Sequence, residues 1–247
     1  MNKHIKLIKR IQSIIPSHIQ PKFKNEKELL SWNQKKGILS SKSILIRNQA
    51  IKMQKILEKS GIKELYLNCS FENYKIFNFG QEKVLNFSKE YVKNFNTELS
   101  NFIFSGKPGT GKNHLAAAIG KHLILHGKKV LIITIADLMS KIKNTFSKKN
   151  DCLSEEYFIN KTSKVDLLII DEIGIQKESK YEKIIIHQII DRRSTSKKST
   201  GILSNLNYKN LYQLLGERII DRMKLGKIIW LNFNWNSYRE HVNVEKI

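Results

Sequence analysis

Residues Gly106 to Asn113 read GKPGTGKN, with the apolar run FIFS directly before them and the helix-forming stretch HLAAAIGKHLILH directly after. A glycine-rich loop between a strand and a helix confines the chain to the phosphate-binding branch of α/β proteins. Gly106, Gly109 and Gly111 permit backbone angles and close approach that a side chain forbids, so successive N–H groups can wrap a phosphate. The following helix, expected over His114 to His126, adds its positive N-terminal end. Lys112 reaches the β- and γ-phosphates, while Lys107, Pro108 and Thr110 complete the loop. The motif departs from its strict form at Asn113, where Ser or Thr usually holds magnesium through a hydroxyl. An amide oxygen replaces that ligand or reaches a magnesium-bound water.

A second signal completes the first. Leu167, Leu168, Ile169 and Ile170 read as a buried strand ending in Asp171 and Glu172, at the carboxyl edge where parallel sheets bind ligands. Asp171 is placed to order magnesium and Glu172 to polarise the water that attacks the γ-phosphate. The alternative is two solvated acids closing a strand; with both halves present, the pattern reads as an ATP or GTP site with Mg2+.

Further apolar strands are expected at Phe102–Ser105, Val130–Ile135, Val165–Asp171, Gly201–Asn205 and Ile228–Phe233, with helical stretches between them. That alternation implies a mostly parallel sheet covered on both faces. Upstream, Val84, Leu85, Ser88, Tyr91, Val92 and Phe95 recur at helical spacing over 81–96.

The front of the chain reads separately. Residues 1–60 carry 14 basic and 3 acidic side chains, so 14 − 3 = +11 of the net charge of +22 falls in the first quarter of the 247 residues. Three helices are expected there: Ile5 to Ile15, halted by Pro16; a short one capped at Asn25, carrying Trp32 and closed by Gly37; and one from Ser41 or Ser43 to Gly61. Trp32 reads either as the core of this small bundle or as apolar surface kept for another protein. Residues 61–80 are too aromatic for a free linker and should pack on the next domain.

A charge of +22 points to polyanionic partners, nucleic acid first, although an abundance of Lys, Asn and Ile throughout the chain accounts for part of it. Cys69 and Cys152 stand far apart without metal-ligand spacing and read as reduced thiols. No apolar run approaches the roughly 20 residues that cross a bilayer, and no signal-peptide cleavage site follows the N-terminus.

The stretches LLSWNQKKGILSSK, NCSFENY, FIFSGKPGTGKNHLAAAI, VDLLIIDEIG, ESKYEKIIIHQIIDRRS and LLGERIIDRMKLG together resemble the DnaC family of bacterial replicative helicase loaders, of the AAA+ class, over essentially the whole chain. Asn113 also matches that family. The resemblance implies an α/β fold: a P-loop AAA+ three-layer ATPase core over 81–247 with a reduced C-terminal lid. A small N-terminal helical domain over 1–60 and a connecting segment over 61–80 precede it.

It implies an ATPase using ATP and Mg2+ as a slow switch, working in the cytoplasm on DNA replication. Its partners are the replicative DNA helicase, single-stranded DNA and further copies of itself in the helicase complex, with no membrane. Asn205 resembles the asparagine that positions the attacking water, with Asn207 nearby as a competitor. Arg222 resembles the finger that reaches a neighbour's nucleotide, and Arg218 competes for that role. Arg239 resembles the arginine beside the γ-phosphate. Helicase binding falls to residues 1–60, with Trp32. DNA binding falls to Leu138–Lys149, through Lys141, Lys143, Phe146, Lys148 and Lys149; Phe146 reads equally as a core residue following Leu138 and Ile142. Arg192, Arg193, Lys197 and Lys198 form a second basic patch, open to solvent or DNA. The rival functions are a transposition-helper ATPase and a non-hydrolysing nucleotide-dependent adaptor.

Overall fold

The computed structural model describes residue 10 and residues 26–147, 155–174 and 180–239. The chain divides into two compact units, residues 1–52 and 53–247. Within the first, α1 (Glu26–Lys59, whose last turns belong to the second unit) is one continuous helix of 34 residues, where the sequence pattern implies two helices parted at Gly37. Gly37 sits exposed in the helix interior, its φ is not positive, and nothing lies within 4 Å of where a Cβ would stand. A glycine there costs roughly 0.5–1 kcal/mol relative to alanine, too little to end a helix without a proline. Ser41 and Ser43 accordingly lie inside α1 and start nothing. The Asn25 cap and, apart from Arg10, which is helical, the expected helix over 5–15 fall outside the described residues. Trp32 is half-buried, with the ammonium of Lys36, one turn on, 4.5 Å from its ring centroid. Leu30, Ile38, Leu39, Ile44 and Ile51 are exposed along the same helix.

The second unit is built on β1 (Ser100–Gly106), β2 (Val130–Thr134), β3 (Leu167–Ile173), β4 (Ser199–Ser204) and β5 (Lys227–Phe233), in the order β2-β3-β4-β1-β5. Every pairing is parallel. Neighbouring side chains along each strand go to opposite faces, and here both faces are dry. Phe102, Phe104, Leu167, Ile169, Leu203 and Phe233 join one core; Ile103, Leu168, Ile170 and Ile202 join the other. The first core is covered by α2 (Phe79–Asn94) and α3 (Lys112–Leu125). The second is covered by α4 (Ile135–Ser147), α5 (Glu155–Ser163), α6 (Lys180–Thr195), α7 (Tyr208–Leu215) and α8 (Glu217–Met223). α2 opens on a reciprocal cap between Asn78 and Gln81, two residues before the expected start.

One face is aromatic. Tyr91 meets Phe102 edge-on at 5.1 Å, Phe102 lies 4.6 Å from Phe104, Phe104 lies 5.1 Å from Phe233, and Phe233 lies 5.0 Å from Trp235. Such contacts add about 0.5–1.5 kcal/mol each beyond buried area, and the series ends beside the glycine-rich loop. Residues 61–80 do pack on this body: Ile62, Phe71 and Tyr74 are buried in the aromatic core. Just before them the Ser60 carbonyl accepts from the Ile132 N–H of edge strand β2 at 2.7 Å.

Candidate nucleotide-binding site

β1 ends where the loop begins, and α3 starts at Lys112, two residues earlier than expected, so the loop closes onto the first helical turn. Gly109 and Gly111 have φ of 75° and 95°. A Cβ at Gly109 would stand 2.0 Å from the Ser237 hydroxyl oxygen, and one at Gly111 would stand 2.7 Å from the Tyr74 ring. The glycines are therefore required from outside the loop as well as from the phosphate side. Trp235 Nε1 donates to the Thr110 carbonyl at 2.9 Å, Tyr74 Oη donates to the same oxygen at 3.4 Å, and the Tyr238 N–H donates to the Gly109 carbonyl at 2.9 Å. Thr110 Oγ1 bonds back to the Lys107 carbonyl at 2.7 Å. Two segments far apart in sequence thus clamp the loop.

Lys112 is buried, and its Nζ donates to the carbonyls of Gly106 at 2.8 Å and Lys107 at 2.7 Å. Burial pushes its pKa down to about 8, with Asp171 opposing the shift. Asn113 Nδ2 donates to Asp171 Oδ2 at 2.8 Å, leaving the amide oxygen as the acceptor a cation needs. Asp171 is buried too, and loss of hydration raises its pKa, against the hydrogen bonds from the Glu172 N–H and Asn113. A buried carboxylate resisting its own charge beside an amide oxygen fits a hard divalent cation. Among the described residues no group of three acidic, His or Cys side chains could hold a metal. Mg2+ takes one or two protein ligands and completes its shell with water and phosphate, so Asn113 and Asp171 fit it by the chemistry of their oxygens.

Glu172 has φ of 62°, in the left-handed region a non-glycine residue enters at a cost of order 1–3 kcal/mol. The β3–β4 register shifts between Ile170 and Ile173, and the Glu172 N–H turns to Asp171 Oδ1 at 2.7 Å. This irregularity lets two consecutive strand residues, which would otherwise point to opposite faces, both line the cleft.

The cleft holds about 480 Å3 and is lined by Pro108 to His114, Asp171, Glu172, Asn205 and Arg239. Four side chains nominated from distant positions, Lys112, Glu172, Asn205 and Arg239, thus converge with Asn113 and Asp171. Asn207, the alternative to Asn205, does not line this cleft; its side chain caps α7 by accepting from the Asn210 N–H at 2.9 Å. Arg218 and Arg222, on α8, line no part of this cleft; Arg222 pairs instead with Asp191. Tyr66, Asn73 and Tyr74 also line it, from the segment whose aromatic content was legible but whose role was not. Cys69 lies there as well, its thiol pKa raised by burial; Cys152 is outside the described residues.

Lys141 and Lys143 are exposed on α4, while Leu138 and Ile142 are buried in the core. Lys141 lines a second cavity of about 290 Å3 that also touches Asn113 and Asp171. Lys148, Lys149 and the Phe146 side chain fall outside the described residues. The second basic patch is not one continuous surface: Lys197 is exposed, Arg192 and Lys198 are half-exposed and paired, and Arg193 is withdrawn from it. Arg193 is fully buried, bonding to Thr200 Oγ1 and to the carbonyls of Thr162, Ser163, Val165, Asp166 and Ser199. Arg192 contacts Asn160 and Glu156, and Lys198 pairs with Asp166 at 2.6 Å. A planar fork of five donors suits a set of backbone carbonyls at the ends of β3 and β4; the residue letters alone do not distinguish that from a surface charge.

A parallel sheet in this order, with the loop and acids at its carboxyl end, defines a P-loop protein with the AAA+ type of fold. More narrowly, the chain belongs to the family described as IstB-like ATP binding protein, whose model matches residues 12–245. It is 62% identical to the replicative helicase loader DnaC of Buchnera aphidicola subsp. Baizongia pistaciae, over 98% of both chains. To the replicative helicase loader DnaC of Escherichia coli K12 it is 53% identical over 96% of both. Its fold resembles a crystal structure of the DnaC helicase loader, with a TM-score of 0.62 and 25% identity, covering 69% of this chain and 99% of that one.

Proposed function

We infer that this chain is a replicative helicase loader, which binds the replicative helicase and single-stranded DNA and uses ATP to control its hold on them. The observation that carries this is the likeness to helicase loaders over 98% of the chain, front segment included, together with an intact nucleotide cleft. Lys112 neutralises the β- and γ-phosphates, and Asn113 and Asp171 hold Mg2+ directly or through water. When bound, the metal spreads phosphate charge. Glu172 takes a proton from the attacking water, Asn205 fixes that water's position, and Arg239 meets the γ-phosphate from the C-terminal side. Arg222 serves a neighbouring copy.

Lys141, Lys143, Lys148 and Lys149 give phosphate contacts to single-stranded DNA, with Phe146 as the candidate stacking ring. Residues 1–60 hold the helicase, with Trp32 and the exposed apolar residues of α1 as the grip. No helix among the described residues is long and apolar enough to cross a membrane; the loader reading itself implies work in the cytoplasm. The transposition-helper reading has the family description in its favour; the match of the front segment to helicase loaders favours the other. Co-purification separates them: the loader brings down replicative helicase from a defined mixture, and recovery of a transposase instead would overturn the assignment.

A further inference from the structure

α6 leaves the catalytic acids of β3 and α8 carries both finger candidates, so their contact decides how an arginine is presented to a neighbouring copy. Arg222 Nε lies 2.7 Å from Asp191 Oδ1 as a charge contact, with both side chains 37% exposed; the N–H is not aimed at that oxygen, which is buried and accepts no hydrogen bond among the described residues. Among the described residues no hydrogen bond and no other ion pair engages the Arg222 side chain, so its two terminal nitrogens carry no partner there. A guanidinium held through Nε keeps its outer edge, the one that matches two phosphate oxygens, turned away from its anchor. His187 is one turn before Asp191 on α6, and its buried Nε2 has no hydrogen-bond partner among the described residues. Asp191, Arg218 and Arg222 are the charged groups that act on it. Arg218, one turn before Arg222, is exposed, and its side chain makes no hydrogen bond or ion pair among the described residues.

We propose that Asp191 is a positioning residue: its carboxylate holds the Nε side of Arg222 by charge and leaves the terminal nitrogens to the γ-phosphate bound by the adjacent copy. This selects Arg222 over Arg218 as the finger. A free arginine loses several rotatable bonds' freedom when it docks on a phosphate, and a carboxylate anchored on a packed helix removes part of that loss in advance. The pair is half-exposed, so its contribution to folding is small and its value lies in orientation.

The inference rests on Arg222 acting in trans, and the experiment keeps the two apart. Full-length variants are assembled with replicative helicase and single-stranded DNA, and ATP affinity and phosphate release are measured separately. Asp191→Ala is expected to lower turnover at least tenfold while leaving the ATP Kd within twofold. Asp191→Glu, which keeps the carboxylate, should recover most of the loss. Mixing Asp191→Ala with Glu172→Gln subunits should restore activity, because the first supplies an intact site and the second an intact finger. A defect in Asp191's own site, or a general loss of structure, would not be rescued in this way. In an Arg222→Ala background, Asp191→Ala should cost nothing further. If Arg222→Ala turns over normally, the finger reading itself fails. If Arg222→Ala is inactive and Asp191→Ala is not, or if the losses add, or if mixing restores nothing despite co-assembly, the positioning role of Asp191 is refuted.

Discussion

At Lys112, burial and function pull against each other. The pKa of about 8 means that the ammonium is present in the free protein at neutral pH and is lost as the pH rises through 8. A bound polyphosphate favours the charged form and raises that pKa, so binding takes up a growing fraction of a proton as the pH rises through 8. ATP affinity should therefore change little near pH 7, fall about twofold by pH 8 and weaken by up to tenfold per unit beyond; Lys112→Ala should bind weakly with no such break. Titration calorimetry across that range measures both. The two asparagines make a second pair. Asn205→Ala should bind ATP and lose turnover, whereas Asn207→Ala, which removes a helix cap, should turn over normally and lose about 1 kcal/mol of stability in a denaturant melt. The loop and the acids were legible because their chemistry fixes residue type at fixed spacing. Tyr74 and Trp235 were not, because a ring that braces a carbonyl looks in sequence like any ring in a core. The roles of Asn205 and Arg239 came only with a family resemblance, as nothing in their local sequence says that 34 residues apart they share a cleft.

Among the elements, the strands were readable to within about two residues, since alternate apolar residues buried on two faces leave little freedom of register. Helix breaks in the front segment were not. Gly37 and Gly61 look equally like caps, but only Gly61 has the positive φ, 74°, that a cap uses. Gly37→Ala should therefore stabilise the first unit by roughly 0.5–1 kcal/mol in thermal melts and leave helicase capture intact. Were Gly37 a cap, the same change would destabilise.

For the whole molecule, the division of labour predicts that the two partners can be lost one at a time. Deleting residues 1–60 should abolish helicase capture while retaining ATP-dependent binding to single-stranded DNA, measured by anisotropy at one fixed salt concentration. Changing Lys141, Lys143, Lys148 and Lys149 to Ala should do the reverse and flatten the salt dependence. Arg193, sealed among five carbonyls and a hydroxyl, has a wider consequence. The chain has 7 arginines among 44 basic residues, hence 44 − 7 = 37 lysines, and five of the seven stand at 192, 193, 218, 222 and 239. At Arg193 the planar fork, not the charge alone, is what the structure uses. A compositional drift from arginine to lysine, harmless at exposed Arg47, would stop at the staple, the finger and the cleft. Arg193→Lys should cost about 2–3 kcal/mol by leaving buried acceptors unmet, and Arg222→Lys and Arg239→Lys should keep the fold and lose the chemistry, so the molecule's net charge would report none of the damage.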